Sequence, residues 1–130
     1  MTNNELKDRT KKFALRIIKL VDFLPKNRAW NVIANQILRC STSIGANYRA
    51  ASRARSKADF ISKITMVEEE ADESLFWLEI INEAGLISEN KLTALMKEAD
   101  ELVAIFTSTG KTAKENNINP KSAVRNPKSK

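Results

Sequence analysis

Apolar residues recur at steps of three and four in four separate stretches of the chain, the period of a helix with one buried side. The first stretch carries Leu6, Phe13, Ile17, Leu20 and Leu24. Pro25 stops it, because the residue before a proline is driven out of helical geometry. The second carries Trp30, Ile33, Ile37, Cys40, Ile44, Asn47 and Ala51, a heptad-like alternation. The third runs through Phe60, Ile64, Val67, Ala71, Leu75, Leu78 and Ile81 to Gly85, a residue suited to a left-handed cap. The fourth follows "GLIS", with Ser88 as N-cap, and carries Leu92, Leu95, Ala99, Leu102 and Phe106. Gly110 marks its expected end. The pattern thus predicts helices over residues 4–24, 29–53, 57–84 and 89–109.

Short connections between long helices favour antiparallel neighbours, so the expected fold is all-α, an up-down-up-down four-helix bundle packed at about +20°. Residues 111–130 lack an apolar stripe, contain two prolines and are expected to form a basic flexible tail. Composition agrees with the helical reading. Three Gly and three Pro in 130 residues leave little room for hairpins.

Charge adds what periodicity cannot. The formal net charge is +6, but residues 1–57 carry +10, residues 58–106 carry −9 and residues 107–130 carry +5. Oppositely charged halves favour one helix pairing over its alternatives, and they also allow the basic side of one subunit to meet the acidic side of another. In "SLFWLEII", Phe76, Trp77 and Ile80 lie off the Leu75/Leu78/Ile81 stripe. A helix apolar on two sides buries both, so these three residues are the expected oligomer interface. The alternative is that Trp77 covers the end of the bundle.

The chain contains no His, which removes Ser-His and Cys-His nucleophile systems, the usual neutral-pH proton shuttle and the commonest metal ligand. Its single Cys40 lies on the helical stripe and reads as an inert core thiol. No catalytic residue, metal ligand or cofactor site is expected. The charged N-terminal stretch lacks a signal-peptide core, and the lone cysteine suits a reducing cytoplasm. No apolar run is long enough to span a bilayer.

Two polar clusters remain. In the first, an antiparallel hairpin turning near residues 54–56 sets Cys40 beside Glu70 and Arg39 beside Ala71. One of Glu69, Glu70 or Glu73 is then expected to turn toward Arg39, Ser43 or Asn47, because a buried carboxylate needs a partner. The expected role is a structural ion pair, with a metal-binding carboxylate cluster as the functional alternative. In the second, "SIGANYRAASRARSKADF" places Arg49, Arg53, Arg55 and Lys57 within nine residues with no acid between them. Arginine forks suit phosphate, and Tyr48 stands nearby as a candidate stacking surface. The competing reading is an ordinary solvated helix corner.

The stretch "QILRCSTSIGANYRAASRARSKADFISKITMVEEEADESLFWLEIINEAGLI" closely resembles the core of the four-helix bundle protein family, also called the 23S rRNA intervening-sequence protein family. The resemblance covers residues 6–108, with "SIGAN", "ARSKADF" and "EEEADESLFWLE" as its most specific words. It implies a bacterial, cytoplasmic bundle assembled as a homopentameric ring, with no established enzyme activity. A related branch comprises accessory proteins of diversity-generating retroelements, basic pentameric bundles that associate with a reverse transcriptase and nucleic acid. The expectation is a non-enzymatic, ring-forming bundle that binds RNA or DNA through a basic rim. The alternatives are a scaffold that recruits a protein partner, or a retroelement accessory protein.

Overall fold

The computed structural model describes residues 1–118 and contains four helices: α1 (Asn3–Val21), α2 (Arg28–Ala51), α3 (Lys57–Ala84) and α4 (Glu89–Ile118). The starts of α1, α2 and α3 each have a local chemical cause. Thr2 and Glu5 form a reciprocal capping box on α1, each satisfying the other's backbone N–H at 2.7 and 3.1 Å. Asn27 Oδ1 accepts from Trp30 N, and Ser56 Oγ accepts from Asp59 N. α3 ends on Gly85 at φ 74°, the left-handed cap anticipated for it. After Val21 three tight backbone bonds continue the turn, including Leu24 N to Val21 O at 3.1 Å. They carry Leu24 into the core before Pro25 ends the run.

Cross-helix contacts fix the topology. Thr10 lies against Gly45, Cys40 against Ser74 and Gly110 against Ile64, so consecutive helices run antiparallel. The interior holds Phe13, Ile17, Ile37, Ile44, Ile64, Leu78, Leu92, Leu102 and Phe106, all fully buried. α1 and α4 close the bundle and approach least tightly. Arg9 clamps them: Nε and Nη2 each reach Glu98 at 2.7 Å, and Nη2 also reaches Glu101 at 2.6 Å. The bonds to Glu98 hold the Arg9 guanidinium protonated well beyond its ordinary range.

Three expectations need correction. α4 does not stop at Gly110 but runs to Ile118. Gly110 is a contact glycine: a Cβ there would lie 3.4 Å from Ile64 Cγ2, so its role is close approach to α3. The first part of the supposed tail is therefore helical, with Ala113 buried against the bundle, and residues 119–130 lie outside the described region. The α2–α3 register is one turn further on than expected, with Ser74 facing Cys40 where Glu70 was placed. Five residues, 52–56, separate the two helices, enough to let α3 start displaced along the bundle axis. Finally, Tyr48 takes the core position that the stripe assigned to Asn47.

Candidate nucleic-acid interface

α1 and α2 each carry a pair of cations four residues apart, Lys7 with Lys11 and Arg49 with Arg53. Residues at this spacing share a helix face. Because the helices are antiparallel and Thr10 touches Gly45, the two pairs meet across a shallow depression lined by Asn4, Lys7, Asp8, Lys11, Arg49 and Arg53. Its single acid is engaged by Lys12, whose Nζ lies 2.9 Å from Asp8 Oδ2. Among the described residues none of the four lining cations forms an ion pair, and Arg49, Arg53 and Lys11 are exposed. The depression continues into a groove toward Thr42 and Ala46, where Gly45 keeps the floor low.

Arg55 and Lys57 are exposed at the α2–α3 corner at the same end of the bundle but do not line the depression. The Arg55 backbone N–H donates to Asp59 Oδ2 at 3.3 Å, and this bond, with one from Lys63, holds the Asp59 carboxyl below its usual range. α4 ends at this same end. Residues 119–130 contain four Lys/Arg and no acid.

Tyr48 is not a stacking surface. Its ring is buried, packs at 5.3 Å on Phe106, and its hydroxyl donates to Asn3 Oδ1 at 2.6 Å. Burial raises its pKa. Sequence reasoning also missed Lys7 and Lys11. Their signal was the matched four-residue spacing on α1 and α2, legible only once Thr10 and Gly45 were known to face each other.

The polar cluster expected between α2 and α3 does not assemble. Arg39 is exposed and, among the described residues, makes no ion pair. Ser43 Oγ donates to Arg39 O and Asn47 Nδ2 to Ser43 O, so both satisfy their own helix. Glu69 is exposed and Glu70 half-buried. Glu73 accepts from Trp77 Nε1 at 3.1 Å, not from α2. Ser74, one turn on, occupies the facing position, donating to Glu70 O at 2.9 Å and lying 3.2 Å from Cys40 Sγ. Burial pushes the Cys40 thiol up to about 11, which disarms it as a nucleophile. Among the described residues no three His, Cys, Asp or Glu side chains gather as a metal site.

Across the bundle the α3–α4 groove has the opposite character, lined by Thr65, Glu68, Glu69, Asp72 and Val103 with no cation. Phe76 stands exposed on the same helix, edge-on to Trp77 at 5.0 Å, while Trp77 and Ile80 are half-buried. No helix among the described residues is long and apolar enough to cross a membrane.

Comparison with known proteins agrees with this architecture. The family model described as 23S rRNA-intervening sequence protein matches residues 2–108. A crystal structure of a protein of unknown function from the S23 ribosomal protein family of Bacteroides thetaiotaomicron VPI-5482 superposes with a TM-score of 0.77. It is 37% identical over 85% of this chain and 99% of its own. Comparison with proteins of curated function finds no match.

Proposed function

The chain belongs to the 23S rRNA-intervening sequence protein family, and on that premise we propose that it is a non-enzymatic bundle that grips the phosphate backbone of RNA or DNA at its basic end. One observation carries this reading: Lys7, Lys11, Arg49 and Arg53 converge from two helices into one concave surface whose single lining acid, Asp8, is paired with Lys12. A surface evolved only for solubility gains nothing from such convergence, since like charges brought together repel. A polyanion relieves that repulsion and releases its counterions. Arg55 and Lys57 extend the same field at the same end, and the four Lys/Arg of residues 119–130 add further positive charge to the chain.

Backbone contacts carry no base code, so the grip is one of shape and charge. Self-association strengthens it. A homopentameric ring, as the family resemblance implies, repeats the depression around a rim and raises effective affinity through multivalency. Electrophoretic shift of a structured RNA tests the reading. Arg49→Ala with Arg53→Ala is expected to weaken binding several-fold, while Lys97→Ala on α4 leaves it unchanged. Equal effects from both would remove the assignment of the site.

Exposed Phe76 favours a second role, a scaffold that recruits a protein. Capture of a partner that survives nuclease treatment and persists in the Arg49/Arg53 variant supports that role.

A further inference from the structure

The C-terminal half of α1 and the first turns of α4 enclose a second cleft, lined among others by Arg16, Lys19, Leu20, Phe23, Lys91 and Leu95. Its floor is apolar, its walls are cationic and no acid lines it. Phe23 is 58% exposed, and Lys91 Nζ sits 3.8 Å above its ring centre. This site is distinct from the basic depression, which occupies the other end of α1. The chain itself carries a surface of complementary character. On α3, Phe76 is 49% exposed and Glu79 and Glu83 follow it on the outer surface beside α4. The antiparallel pairing of α3 with α4 puts residues 76–83 at about the height of the cleft.

We infer that the Phe76–Glu79–Glu83 ridge of one copy seats in the Arg16–Lys19–Lys91 cleft of a second copy. The ring of Phe76 covers the exposed ring of Phe23 above the buried floor of Leu20 and Leu95, removing apolar surface from water on both sides. Glu79 and Glu83 meet the three cations at the rim of that contact, where complementary charge fixes register and speeds encounter. Ridge and cleft are different surfaces of the molecule, so the contact is heterologous and repeats from copy to copy. They lie on neighbouring sides of the bundle, not opposite ones. Successive copies therefore turn relative to one another. The contact also leaves Lys7, Lys11, Arg49 and Arg53 uncovered. This inference names the partner and surface of the self-association proposed above and rests on it.

Sedimentation of the full chain at micromolar concentration tests the interface, with helicity and thermal melting recorded for every variant. The wild type is expected to sediment as an assembly. Phe76→Ala, and separately Lys19→Glu with Lys91→Glu, are expected to weaken it roughly tenfold or more, since such contacts concentrate in a few residues. Adding Glu79→Lys and Glu83→Lys to the charge-reversed chain is expected to restore the assembly. All five residues are exposed, so the variants keep the fold. A wild type that sediments as one subunit overturns the inference, as does an assembly indifferent to both sets of changes. A single subunit that still shifts RNA through Arg49 and Arg53 overturns the interface alone and leaves the nucleic-acid reading standing.

Discussion

Arg9 on α1 holds Glu98 on α4 by a two-pronged bond, Nε to Oε2 and Nη2 to Oε1, each 2.7 Å long. The two side chains are 22% and 17% exposed, so the pair is shielded from water more than a surface ion pair. It spans the loosest seam of the bundle and joins a basic helix to an acidic one. Arg9→Ala is expected to lower stability by about 1–3 kcal/mol, because Glu98 keeps its desolvation cost and loses its partner. Glu98→Gln should lose less, and Arg9→Lys should not rescue the fork. Denaturant melts of the single and double variants check this, with a non-additive double variant as the expected result.

Tyr48 separates the two readings of the basic stretch. Tyr48→Phe keeps the ring on Phe106 and deletes the hydroxyl bond to Asn3, at an expected cost of about 1 kcal/mol in stability. RNA affinity should not change, because the ring is buried. Loss of RNA binding in a folded Tyr48→Phe chain would contradict its core placement.

Gly45 is small because of Thr10. A Cβ at Gly45 would stand 3.3 Å from Thr10 Oγ1, and that hydroxyl is held by bonds to Leu6 O and Lys7 O at 2.9 and 3.1 Å. The neighbour has little freedom to give way. Gly45→Leu is expected to cost about 1–3 kcal/mol by forcing α1 and α2 apart, despite the better helix propensity of Leu. Thr10→Ala in the same chain should recover part of the loss in a thermal melt.

How much was legible in the sequence differs by level. The apolar stripes located all four helices, and every residue they named on α1 and α4 is buried. Register was harder. A turn near residues 54–56 implied that Cys40 faces Glu70, and the carboxylate cluster was built on that pairing. Moving α3 along by one turn brings in Ser74, which can bond its own backbone, and lets the acids reach water. The basic depression was half legible for the same reason: Arg49 and Arg53 stand out locally, whereas Lys7 and Lys11 join them only through a tertiary contact. Gly110 shows the limit of punctuation. A glycine ends a helix or admits a neighbour, and its sequence does not say which.

Burial of Cys40 has a signature in alkali. Its thiol is raised from 9.0 to about 11, so between those values the unfolded chain has lost a proton that the folded chain keeps. Stability should therefore fall as pH rises through this window, by roughly 1–2 kcal/mol near the top, and show no Cys40 contribution below it. Tyr48, also raised by burial, acts in the same direction at higher pH. Cys40→Ala should flatten the decline in denaturant titrations at pH values on either side of the thiol's ordinary value.

The central claim is that one concave cluster of cations takes the nucleic-acid backbone, and the salt dependence of RNA affinity measures it most directly. Each phosphate contact contributes roughly 0.7–0.9 to the slope of log affinity against log salt. With Lys7, Lys11, Arg49 and Arg53 all changed to Ala, the slope should become shallower by about 2–4, with the fold and the assembly retained. An unchanged slope in that folded variant would contradict the account.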